Sequence, residues 1–209
     1  MRKSVYNGSV GGLFGQMFIA SLVASVTCGI MTPWAVCYVV KYIINNSSIN
    51  GRQLKFTGSA LSYFGNCLLW GLLTSVTCGI YTFWVAGDQL KWFIKNIHFE
   101  DSQGSPVSEY DGSSLRLGCY LIITGSLMGS VVLAPWLATL LIKKIIANVT
   151  IDGEKLHFEY DESRFLDYYL ANFLVFVTCG IYSFWLNHYL VEWFITGINA
   201  DEPALLIEG

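Results

Sequence analysis

Four long stretches of the chain carry no charged side chain: residues 4–40, 56–87, 117–142 and 168–191, with His188 counted as neutral. Within them apolar residues run nearly without interruption, and the charges gather in the short segments between. A helix rises about 1.5 Å per residue, so roughly 20 apolar residues cross a hydrocarbon core about 30 Å thick. Each run is long enough for at least one crossing. The pattern therefore predicts an α-helical integral membrane protein, because a hydrophobic core excluded from lipid would need charged faces that these runs do not provide.

The runs repeat one another. Thr27-Cys28-Gly29-Ile30 is followed by Trp34, Thr77-Cys78-Gly79-Ile80 by Trp84, and Thr178-Cys179-Gly180-Ile181 by Trp185. The gap between the second and third copies leaves room for a degenerate one, Gly129-Ser130-Val131-Val132 before Pro135-Trp136. Seven residues after each Trp stands a charge: Lys41, Lys91, Lys143 and Glu192. Between units, Ile49-Asn50-Gly51-Arg52-Gln53-Leu54-Lys55-Phe56 matches Ile151-Asp152-Gly153-Glu154-Lys155-Leu156-His157-Phe158. Asn-Gly and Asp-Gly tolerate positive φ at both turn positions, so each predicts a β-hairpin. Residues 97–110 read as a longer hairpin with its tip at Gln103-Gly104-Ser105-Pro106. Periodicity on this scale marks a repeat architecture. The predicted unit is an apolar helix, a Cys-Gly break, a Trp-led second helix and a polar hairpin. Four such units cover residues 8–57, 58–110, 111–160 and 161–209 of a single membrane domain.

Composition sharpens this picture. Hydrophobic residues make up 54% and charged residues 13% of the chain, against about 25% charged in a typical soluble domain; mean hydropathy is +0.49. The net charge of −3 argues against a nucleic-acid partner, which calls for a clustered basic face. Thr27 before Cys28 does not fit a lipoprotein cleavage site, and the same string recurs inside the chain, so residues 1–30 read as mature structure. All twelve Lys and Arg lie in connectors or second-helix ends and none at a Cys-Gly turn. The positive-inside rule then favours helical hairpins, some short or interfacial, with about eight membrane helices and with termini and β-hairpins in the cytoplasm.

Gly79-Ile80-Tyr81-Thr82-Phe83-Trp84 and Gly180-Ile181-Tyr182-Ser183-Phe184-Trp185, with the hairpin over residues 50–58, resemble the YjgN-like family of uncharacterised bacterial inner-membrane proteins. The resemblance implies a multi-pass protein of the bacterial inner membrane and supplies no activity or catalytic residues. Val85-Ala86-Gly87-Asp88-Gln89 and Leu186-Asn187-His188 stand where a basic stretch follows Trp in that family.

No catalytic constellation, metal-ligand spacing or phosphate-binding glycine loop is present, so no enzyme activity, cofactor or metal is expected. Six cysteines lie in apolar segments without Cys-x-x-Cys spacing. Cys28-Gly29, Cys78-Gly79 and Cys179-Gly180 read as packing residues at the helix turns. Trp34, Trp84, Trp136 and Trp185 read as interface anchors. Polar groups within the runs, Asn66, Asp88, Gln89, Asn172 and His188, are candidates for a solute or ion pathway, although Asp88 is more simply a partner of Lys91 or Lys95. Gly11-x-x-x-Gly15 and Gly125-x-x-x-Gly129 offer close-packing surfaces. Two functions follow: a structural, oligomeric or accessory component partnered by a lipid bilayer and by further copies or subunits, or a small channel or transporter.

Overall fold

The computed structural model describes residues 4–102, 107–127, 134–159 and 164–200. The chain forms four helical hairpins standing on strands. The first pairs α1 (Val10–Val26) with α2 (Thr32–Asn45), and the second pairs α3 (Ala60–Val76) with α4 (Thr82–Lys95). The third pairs α5 (Ser114–Leu127) with α6 (Ala134–Ile146), and the fourth pairs α7 (Arg164–Val177) with α8 (Ser183–Gly197). Strands β1 (Val5–Tyr6), β2 (Ser47–Ile49), β3 (Arg52–Phe56) and β4 (Ile97–Phe99) make one antiparallel sheet in that order. Strands β5 (Glu109–Tyr110), β6 (Val149–Ile151), β7 (Glu154–Phe158) and β8 (Ile198–Ala200) make the second. Every helix pair leaves the strands and returns to them, so the three described Cys-Gly turns share the end opposite the sheets.

These turns have one local cause. Cys28, Cys78 and Cys179 take φ of 49°, 51° and 50°, and the glycines after them take 85°, 89° and 92°. Two left-handed residues in succession reverse the chain, and Gly29 N–H closes the turn on Ala24 C=O at 2.7 Å, the Schellman arrangement. The preceding threonine joins both helices: Thr77 Oγ1 donates to Leu73 C=O at 2.8 Å and accepts from Tyr81 N–H at 3.0 Å. Thr178 does the same with Leu174 and Tyr182. The corresponding turn of the third unit, at Gly129–Val132, lies outside the described residues, as does the hairpin tip at residues 103–106.

The sheets hold the main core. Ile49, Leu54, Phe99, Val149, Ile151 and Phe158 are buried together between them, with Ile94 and Ile146 from the helix ends. Edge strand β4 lies against β6, and β8 against β2, under a pseudo-symmetric set of polar ties. Ser4 Oγ accepts from Asn50 N–H at 3.2 Å, as Ser108 Oγ does from Asp152 N–H at 3.2 Å. Ser4 Oγ donates to Ile198 C=O and Ser108 Oγ to Ile97 C=O. Asn50 Nδ2 then donates to Ala200 C=O at 2.7 Å, whereas Asp152 Oδ2 accepts from Phe99 N–H at 2.6 Å. An amide meets a carbonyl in one half and a carboxylate meets an N–H in the other. Asn-Gly and Asp-Gly thus differ for a reason of polarity.

Eight crossings are not what the helices provide. Among the described residues no helix is long and apolar enough to cross a membrane. The longest, α1 and α3, have 17 residues and rise about 25 Å, short of a core about 30 Å thick. Three of the uncharged runs are split at a Cys-Gly turn into two short helices, and the length that promised a crossing is spent on a reversal. The expectation of an integral, multi-pass, transmembrane protein of the bacterial inner membrane, with about eight membrane helices and cytoplasmic hairpins, is corrected accordingly. The fold is eight helices and two small antiparallel sheets among the described residues.

Candidate docking surface

The second helix of every hairpin carries an exposed charge at the same position along its own length. Lys41, Lys91, Lys143 and Glu192 are all exposed, and each lies nine residues into its helix. Nine residues rise about 14 Å, so each charge stands about 14 Å from the start of its own helix. Beyond these charges, toward the turns, the exposed large side chains are apolar. Val26, Ile30, Val76, Ile80, Phe176 and Ile181 are 62–83% exposed. They sit on all three described turns rather than on one flank.

Several hydroxyls in this zone bond back to their own helices. Besides the turn threonines, Ser21 Oγ donates to Phe18 C=O at 2.9 Å and Ser75 Oγ to Gly71 C=O at 2.9 Å. Asp88, six residues into α4 and so nearer the turn than Lys91, accepts from Tyr81 Oη at 2.7 Å and from Ser114 Oγ at 3.0 Å. Its partners are thus Tyr81 and Ser114, and no ion pair joins it to Lys91 or Lys95.

The intramembrane polar candidates do not converge. Asp88 faces Ser114 at the α4–α5 contact, while Asn172 Nδ2 donates to Tyr168 C=O of its own helix at 2.8 Å. His188 packs on Tyr6 with ring centroids 5.5 Å apart, and its Nδ1 is buried without a partner, as are Tyr6 Oη and Gln16 Oε1. Asn66 and Gln89 are half-buried. No hydrogen bond or ion pair links Asn66, Asp88, Gln89, Asn172 and His188 to one another among the described residues. The largest cavity described, about 650 Å³ between α1, α2 and α8, is walled by Phe14, Phe18, Val36, Val39 and Phe184, an apolar groove rather than a hydrated path.

The turn cysteines are exposed, so Cys28-Gly29, Cys78-Gly79 and Cys179-Gly180 shape the reversal rather than pack helices together. Close packing occurs elsewhere. A Cβ on Gly87 would stand 2.3 Å from Ser114 Cα, and one on Gly118 would stand 1.9 Å from the Phe83 carbonyl oxygen. Gly11 and Gly15 face open space, and Gly129 lies outside the described residues. The departure Val85-Ala86-Gly87 after Trp84 was the available signal for the α4–α5 approach. Trp34, Trp84, Trp136 and Trp185 stand near the starts of their helices, about 10 Å along the axis from the charge on the same helix. Trp34, Trp136 and Trp185 are exposed, and Trp34 stacks on Tyr38 at 5.4 Å. They do not mark the boundary where charges begin. No group of His, Cys, Asp and Glu among the described residues is arranged to hold a metal ion.

No family model, curated protein or solved structure matches the chain.

Proposed function

We propose that this protein is a non-catalytic structural component that seats its hairpin ends in the apolar layer of one lipid leaflet, with its sheets outside and no helix crossing. The observation that carries this reading is the shared position of the exposed Lys41, Lys91, Lys143 and Glu192, nine residues into their helices. The apolar zone beyond it is about 14 Å deep, near half of a hydrocarbon core about 30 Å thick. Two features of that zone support it. Its apolar exposure surrounds the turns, which a single protein–protein interface would cover on one side only, whereas lipid tails cover every side. Its three described backbone reversals and the hydroxyls of Ser21, Thr27, Ser75, Thr77 and Thr178 are paired internally, as an environment without water requires.

Vesicle flotation with an entrapped dye tests the proposal. The protein is expected to float with neutral phosphatidylcholine vesicles without releasing the dye. Protein left at the bottom of the gradient would overturn lipid docking, and dye release that depends on Asp88 or His188 would favour a solute pathway instead.

A further inference from the structure

A cleft of about 210 Å³ opens beside the sheets in the third unit, bounded by the first turn of α5 and the last turns of α6. Its floor is Leu117, Leu141 and Ile145, and its rim carries Arg116, Lys144 and Asp111. The repeat reveals that this opening is particular to the third unit. Aligned on the strands that follow each second helix, Lys144 occupies the position held by Tyr42, Trp92 and Trp193 in the other units. In the first unit Tyr42 covers Gly12, so closely that a Cβ there would stand 2.1 Å from its hydroxyl. In the second and fourth, the tryptophan packs edge-on against the strand phenylalanine, Trp92 on Phe56 and Trp193 on Phe158. Aligned on Tyr6-x-Gly8 and Tyr110-x-Gly112, the first unit's Gly12 becomes Arg116 in the third. An aromatic lid on a glycine has been exchanged for two cations over an open apolar floor.

Both cations line the mouth of the cleft. Lys144 Nζ is 2.6 Å from Tyr120 Oη and 4.1 Å above that ring's centroid. Among the described residues no carboxylate lies within ion-pair distance of Lys144 or Arg116. The α5 N-terminus, which borders the cleft at Gly112 and Ser113, adds positive partial charge. We infer that this cleft binds the phosphate group of a phosphate monoester, with Arg116 and Lys144 on its oxygens and the apolar floor under its organic substituent. Arg offers a planar fork and Lys a point charge, a common pairing for phosphate recognition. Asp111 sits at the rim as a selectivity element that weakens anion binding. Two sources carry this chemistry, a lipid headgroup and a free phosphate ester, and the site does not depend on the hairpin ends being seated in lipid.

The test titrates the full-length protein with inorganic phosphate, glycerol 3-phosphate and dihexanoyl phosphatidic acid, followed by backbone amide shifts of residues 111–117. Saturable binding is expected. Arg116→Gln and Lys144→Gln should each weaken it by roughly 10-fold or more. Lys144→Tyr, which restores the first unit's lid, should abolish it while leaving the melting transition in place. Asp111→Asn should tighten it, and Lys55→Gln, an exposed lysine on β3, should change nothing. Preference for dihexanoyl phosphatidic acid identifies the lipid headgroup; equal binding of glycerol 3-phosphate identifies a free ester. Absence of saturable binding of all three ligands, or binding that survives Lys144→Tyr, would overturn the inference.

Discussion

The two ends of this molecule are built for different surroundings. At the sheet end, apolar side chains are buried between strands and polar groups tie the halves together. Arg52 there is paired with both Asp101 and Glu154. At the turn end, apolar side chains face outward and the turn threonines bond inward to their own helices. The same residue types thus sit inside out with respect to each other within one hairpin length. The difference teaches that burial within the chain accounts for only part of the apolar residues; under the proposed docking, the rest meet acyl chains.

That contrast can be broken from either end. The largest effect is expected from Ile30→Asp, Ile80→Asp and Ile181→Asp combined. Each exposed isoleucine contributes about 1.5–3 kcal/mol on transfer from water, so the triple variant should lose vesicle binding by more than roughly 100-fold in flotation. Its melting transition should stay close to wild type, because these side chains make few contacts within the fold. Phe99→Ala should do the reverse. Phe99 is buried between the sheets, and its truncation should cost about 3–5 kcal/mol of stability by denaturant unfolding. Lipid affinity of the folded fraction should remain.

Asp152 sharpens the comparison at the sheet end. Burial works against its charge, but the bonds from His98 and the Phe99 N–H hold its carboxyl below the ordinary carboxylate range. A depressed pKa in the folded state contributes stability that is present above the unfolded value and is lost as pH falls through the folded one. Stability should therefore fall below about pH 4. Asp152→Asn should flatten that acid limb and cost about 1 kcal/mol near neutrality. At the turn end, Cys78→Gly should give the smallest change, a gain of about 0.5–1 kcal/mol from relieving a side chain held at positive φ.

Much of this was legible before any coordinates. Thr77-Cys78-Gly79 marked a chain reversal, Asn50-Gly51 and Asp152-Gly153 marked tight turns, and the charge seven residues past each Trp marked the repeat. What the run lengths concealed was where the apolar length goes. An uncharged stretch reads alike whether it crosses a bilayer once or folds back after 17 residues, because hydropathy counts composition and not direction. The left-handed Cys-Gly pair decides that, and a cysteine is an uncommon residue at positive φ. The pairing of Asp88 with Ser114 joins segments 26 residues apart, which local spacing does not reveal; Lys91 and Lys95, one turn away, were the nearer but wrong partners. The cationic cleft was hidden for another reason. Lys143-Lys144 looks like a solvated helix end until Lys144 is aligned with Tyr42, Trp92 and Trp193.

The exposed cysteines at the turns allow the central claim to be measured directly. A spin label on Cys28, Cys78 or Cys179, in variants retaining one cysteine each, reports immersion through collisions with oxygen and with a water-soluble nickel complex. On binding phosphatidylcholine vesicles, all three labels should gain oxygen collisions and lose nickel collisions together, at a common depth near the bilayer centre. Labels that remain accessible to nickel on vesicles, or that divide between the two sides, would contradict the account.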